Sequence, residues 1–215
     1  LLTGAYHGPA KENLVSKFLS QFEDGRHYKY EALFDDRYAR SRQAAFGSNR
    51  LPQYHLDKAD VVVLLGSDLF AYGRDRVRHM RDFAEKRKIK DNRMSKVYAF
   101  EPAISEMGSN ADLRYPVKMA DLPMVAGALL LQLVYMDKRI PGMSERISAD
   151  MVQKFDPYQI EEKLGIPMGT VKKVADDLWN NRGKSIIISE SFANQGKNSQ
   201  ELHQIVHVLN SILGN

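Results

Sequence analysis

The sequence predicts a doubly wound α/β domain, a mostly parallel, three-layer, Rossmann-like sheet with a small helical subregion. Three observations predict it. Val61–Leu65, Lys96–Phe100 and Ser185–Ser189 are largely apolar runs bounded by turn residues, the pattern of strands covered on both faces. Segments with a helical apolar period lie between them. Strand, helix and strand in alternation then call for parallel pairing through right-handed crossovers.

Two weaker strands are expected near the start, at Leu1–Thr3 and at Tyr28–Leu33, where Tyr28, Tyr30 and Ala32 share a face. Between them Leu14, Val15, Phe18, Leu19 and Phe22 make one apolar stripe, read as a crossover helix. A helix from Asp75 to Lys88 should turn Val77, Met80, Phe83 and Ala84 inward. Arg114–Lys118 reads as a short extended piece, and the almost wholly apolar Leu122–Met136 as a deeply packed helix.

Residues 137–182 form a loop and helical subregion that opens on Pro141-Gly142. Asp156-Pro157 supplies an N-cap and a first-position proline, and Gly165 ends that helix. Val171, Val174, Ala175, Leu178 and Trp179 make the next stripe, closed by Gly183. The last helix opens at Asn198, with Glu201 at capping-box spacing. Residues 1–215 read as one α/β domain. Its start without an initiator Met and its end at Leu213-Gly214-Asn215 read as the edges of a piece of a longer chain.

Composition narrows the function classes. The net charge of +4 is too small to argue for nucleic acid. The basic residues Arg74, Arg76, Arg78, Arg81, Lys86, Arg87, Lys88 and Lys90 do bunch, but Asp75, Asp82, Glu85 and Asp91 are interleaved, as on a solvated helix face. With no cysteine, the segment has no disulfide, no cluster held by its own thiolates and no Cys-based zinc site. The longest apolar run, Leu122–Tyr135, is broken by Gln132, so no direct membrane span is expected.

In open α/β sheets ligands bind beyond the C-terminal ends of the strands. Gly66-Ser67-Asp68 follows Val61–Leu65 directly: Gly66 permits close backbone approach, Ser67 offers a hydroxyl, and Asp68 can accept from a base, a sugar or a helix N-terminus. The turn is either a cap or a binding edge. Glu101, at the tip of the next strand, either holds ribose or guanine donors or organises its own loop. Asp121 reads as an N-cap. There is no GxGxxG and no Walker sequence, Gly66 and Gly73 being too far apart, which disfavours an ordinary NAD enzyme and a P-loop enzyme. His203 and His207 are four apart, a spacing that serves either a metal or the flank of a buried stripe. No metal site is assigned to them. His55 and His79 lack a nucleophile constellation, so a hydrolase has no support.

The order of segments resembles the molybdopterin oxidoreductase superfamily: Tyr54 to Ala59-Asp60, the strand Val61–Leu65, Gly66-Ser67-Asp68, a helix, Lys96–Phe100, Glu101-Pro102 and Asn110-Ala111-Asp112. Leu164-Gly165-Ile166 and the closing Leu209–Asn215 fit the same pattern. Ala45-Phe46-Gly47, Leu51-Pro52-Gln53-Tyr54-His55 and Gly108–Asp112 look like the molybdopterin-like portion of the large iron–sulfur subunit of alternative complex III. The resemblance implies a Tat-exported subunit of a membrane-associated, quinol-oxidising respiratory complex on the periplasmic face. Its partners would be the other domains and subunits of that complex. Two departures stand out: Asp68 where cofactor-binding members carry Asn, and Glu101-Pro102-Ala103 where they carry D-P-R.

Three functions compete. The departures and the missing cysteines favour a non-catalytic scaffold and docking domain with no cofactor of its own. The alternative is a domain of an active molybdenum oxidoreductase that uses Gly66, Ser67, Asp68 and Glu101 on molybdopterin guanine dinucleotide. A free-standing nucleotide sensor is the third, opposed by the missing phosphate loops.

Overall fold

A computed structural model describes residues 1–4, 6, 8–30, 37–48, 50, 52–71, 75–89, 94–190 and 196–215. Residues 31–33, Leu51, Gly73, Arg74, Lys90 and Asp91, named above, lie outside these. The chain divides into two compact units, Leu1–Asp36 and Arg37–Asn215.

The first unit is a short β-α-β element: β1 (Leu2–Thr3), α1 (Pro9–Leu19) and β2 (Tyr28–Lys29). The strands are parallel, with Leu2 opposite Tyr28 and Thr3 opposite Lys29. Pro9 opens α1, where its missing N–H is harmless. The expected crossover is there, but its apolar stripe is not buried: Leu14 is 69% and Phe18 46% exposed, and no residue of α1 is buried. Two strands of two residues offer a helix too little surface to cover.

The second unit starts with α2 (Arg37–Phe46), which the sequence did not suggest. There follow β3 (Val61–Leu65), α3 (Arg76–Lys86), β4 (Lys96–Glu101), β5 (Leu113–Pro116) and α4 (Leu122–Leu131), the last extended by a π-helical turn over Gln132–Met136. Then come α5 (Ala149–Phe155), α6 (Pro157–Leu164), α7 (Thr170–Asn180), β6 (Ser185–Ile188) and α8 (Ser199–Leu213). The sheet is parallel throughout, in the order β5-β4-β3-β6, with Val61 facing both Lys96 and Ser185. The expected α/β fold with a parallel sheet covered by helices is what this unit adopts.

The continuous apolar strands follow from two covered faces. Val61, Val63 and Leu65 join Tyr98, Phe100 and Ile187 under α4, α7 and α8. Val62 and Leu64 join Val97, Ala99 and Ile188 in a second core with Leu56, Phe70 and Phe83. By length and composition Met119–Met136 could cross a membrane, but here Leu122, Val125 and Leu129 are fully enclosed in the first core. Gly127 lets the Phe155 ring of α5 lie against α4; a Cβ there would overlap the ring.

Local signals worked where the side chain and the backbone bond are adjacent. Asp156 accepts from the N–H of Tyr158 and of Gln159 at 2.9 and 3.1 Å, and Gly165 ends α6 at φ 65°. Asn198 does sit before α8, but its side chain makes no cap, and Glu201 instead binds Lys154 at 2.6 Å. Asp121 likewise precedes α4 without a capping bond. The cap of α7 comes from α6: buried Glu161 accepts from Gly169 N–H and Val171 N–H at 2.8 and 2.6 Å.

The largest correction concerns α3. Of its four expected inward residues only Phe83 is buried; Val77 is 80% and Met80 40% exposed, and Ala84 is exposed too, while His79 and Asp82 face inward. Contacts from elsewhere in the chain set this rotation. Phe83 meets Phe70 edge to face at 5.3 Å, Lys86 pairs with Asp60, and Arg87 grips Asp112 through two bonds of 2.7 and 2.9 Å.

Candidate functional site

From β3 the chain steps through β4 to β5 on one side, then returns to place β6 on the other. The strand order therefore reverses between β3 and β6, where the C-terminal ends diverge and a crevice is expected. Two groups of side chains occupy this edge.

The first group holds the four residues picked out from the sequence. Asp68 is buried and spends its carboxylate on the backbone. Oδ1 accepts from the N–H of Phe70, Ala71 and Met107 at 3.0, 3.2 and 3.3 Å, and Oδ2 from that of Glu106 at 2.9 Å. It closes its own turn and ties the end of β3 to the loop after β4. Glu101, 3% exposed, accepts from Arg114 Nε at 2.7 Å and from Ser105 Oγ at 2.6 Å. Gly108 lies so close that a Cβ would overlap this carboxylate. Ala103 brings no charge to this loop, and Arg114 on β5 takes up the charge of Glu101.

Gly66 has φ 65°, the left-handed region that favours glycine. A Cβ there would lie 2.6 Å from Leu122 Cδ1 and 2.8 Å from Met119 Sδ, so this close approach is made to the start of α4. Ser67 is buried and donates to the Glu190 carbonyl at 2.5 Å, pinning the end of β3 to the end of β6. Asp112 holds Arg87 and the Val97 N–H. Burial raises its pKa, and those two partners more than offset this, leaving it lowered.

The second group was not foreseen. Tyr38 of α2 and Tyr54 share a hydrogen bond of 2.8 Å, and Tyr54 donates to Glu190 Oε2 at 3.1 Å. Burial pushes the Tyr38 phenol up to about 12 and Tyr54 well above its usual value, so both are neutral. The Tyr38 ring stands edge-on to His203 and His207 at 4.9 and 5.4 Å. His203 Nδ1 lies 2.9 Å from Ser189 Oγ, and His207 Nε2 lies 3.0 Å from Ser41 Oγ. Burial lowers both imidazoles to about 4, assisted by His207 and Arg37 for His203 and by Arg42 for His207.

Each imidazole is thus a neutral fastener between α8 and its neighbours. The spacing of four places them on the flank of the buried stripe, each with a serine partner. No group of three His, Cys, Asp or Glu able to hold a metal occurs among the described residues. One signal could have revealed part of this group: Ser189-Glu190 directly follows a strand, as Glu101 ends one. Tyr38 and Tyr54 lie in segments with no period to mark them.

A separate cleft of about 770 Å³ opens between the start of α4, the end of α5, α6 and the start of α8. Met124, Phe155, Lys163 and the Lys154–Glu201 pair line it, and none of Gly66, Ser67, Asp68 or Glu101 does. No family model matches this sequence, and no curated protein matches it to a significant degree.

Proposed function

We propose that this chain is a molybdopterin-oxidoreductase-like domain that serves as a non-catalytic scaffold and docking surface. Its place would be in a quinol-oxidising respiratory complex at the periplasmic face of a membrane. The family and the complex rest on the sequence resemblance alone.

One observation carries the non-catalytic part: Asp68 and Glu101 are buried and spent on the protein's own donors. A guanine or ribose would have to take a carboxylate from backbone N–H groups, and each buried donor left unpaired costs about 1–3 kcal/mol. The close approach at Gly66 is taken by Met119 and Leu122. These residues do not fit a guanine dinucleotide, so no catalytic step is assigned to the chain.

Metal and pterin analysis of the full-length protein, purified with its native partners, tests the reading. It predicts that any iron is unaccompanied by molybdenum or a fluorescent pterin. One molybdenum and a matching pterin per chain would replace it with the active-oxidoreductase alternative.

A further inference from the structure

We propose that α2 is an acid-released cover over the C-terminal edge of the sheet, freed when His203 and His207 take up protons while the strands stay folded. The device is independent of the function proposed above. A surface helix is ordinarily held by its buried apolar face. Helix α2 buries only Ser41, and neither hydrophobic core contains any of its residues, so it can leave without opening either core. What holds it is polar and aromatic. Ser41 donates to the Tyr38 carbonyl at 2.7 Å, which leaves its oxygen to accept from His207 Nε2. Tyr38 stands edge-on to both imidazoles and bonds Tyr54, and Phe46 stands edge-on to His207. Arg37 Nη1 donates to the Gly196 carbonyl at 3.1 Å.

The surroundings of the two rings make a proton costly. Both are buried, Arg37 and His207 act on His203, and Arg42 acts on His207. Glu190, the carboxylate of this group, accepts from Tyr54 and acts on Tyr38 and Tyr54, while His79 of α3 faces Tyr54 with ring centres 6.2 Å apart. Because His207 Nε2 already points its proton at Ser41, acid adds the second at Nδ1 and leaves a buried cation beside Arg42. Hydration relieves such a charge, and lifting α2 hydrates both rings at once. Closed, the rings hold protons only below about pH 4; open, they return toward 6.5. Going from pH 7 to pH 5 therefore multiplies the open population about 20-fold for each imidazole and roughly 400-fold for the pair. Opening uncovers Tyr54 and Glu190 where Ser67 joins the ends of β3 and β6.

The test is hydrogen exchange by mass spectrometry on the full-length protein at pH 7 and pH 5, corrected for the intrinsic pH dependence of amide exchange. Protection of residues 37–46 should fall roughly 400-fold, while residues 61–65 and 96–101 remain far better protected at both pH values. His203→Asn with His207→Gln should abolish most of that fall. Tyr38→Phe, which loses the bond to Tyr54 but leaves both imidazoles in place, should weaken α2 by the same factor at pH 7 and pH 5. Protection of α2 that ignores pH, or a fall that survives in the double variant, would overturn the proposal. So would equal protection of α2 and the strands at pH 5, which would mean that acid unfolds the whole unit and α2 is no separate cover.

Discussion

Replacing the two buried imidazoles with non-titrating amides should remove most of the acid sensitivity of this fold. His203 hydrogen bonds through Nδ1 and His207 through Nε2, positions that the amides of Asn and Gln respectively approximate, so His203→Asn with His207→Gln keeps the bonds to Ser189 and Ser41. Both folded-state pKa values, about 4, lie below the ordinary 6.5. The unfolded chain therefore binds more protons between about pH 4 and 6.5, and stability falls as pH falls through that window. Each displaced imidazole costs about 2 kcal/mol on going from pH 7 to pH 5, so the pair costs about 4 kcal/mol, a large share of a typical domain's 5–15 kcal/mol. His79, also lowered by burial and by Arg78, adds to the slope in both proteins and drops out of the comparison. The assay is urea unfolding at the two pH values, with imidazole titration followed by NMR. Equal pH dependence in the two proteins, or imidazoles titrating near 6.5, would refute the reasoning. In the wild type, hydrogen exchange should show α2 losing protection first on acidification, since Tyr38, Ser41 and Phe46 hold it to these rings.

Further outcomes follow from the sheet edge. Asp68→Ala, which removes the acceptor of four backbone N–H groups, two of them in buried bonds, should destabilise the second unit by about 3 kcal/mol, and Asp68→Asn by less, because an amide oxygen can replace Oδ1 but not both oxygens. Urea midpoints check both. Gly66→Ala should cost about 2–4 kcal/mol in the same measurement, from strain at φ 65° plus overlap with Leu122 and Met119. Asp156→Ala should lower stability by about 1 kcal/mol through the lost cap of α6, read as a shift in thermal midpoint.

The strands of the central sheet were legible because both faces are covered, so their apolar character is continuous and needs no partner to interpret it. Helix α6 was legible because Asp156, Pro157 and Gly165 act on adjacent backbone. Helix α2 was hidden: it docks through Ser41, Tyr38 and Phe46 on two histidines, so its buried side carries no apolar stripe. The face of α3 was misread because Asp60, Asp112 and Phe70, none of them within the helix, fix its rotation. At the candidate site the sequence located Gly66, Ser67, Asp68 and Glu101 at the C-terminal ends of β3 and β4. It could not reveal that Met107, Arg114 and Leu122 would use them, nor that Tyr38, Tyr54 and Glu190 would meet there from three distant segments.

The central claim is that this edge belongs to the protein's own backbone and not to a nucleotide. It is tested most directly by titrating the isotope-labelled 215-residue chain with millimolar GDP and following the backbone amides. The account predicts no saturable shifts at residues 66–71 and 101–108. Saturable shifts there, abolished by Asp68→Asn or Glu101→Gln in a chain that remains folded, would contradict it.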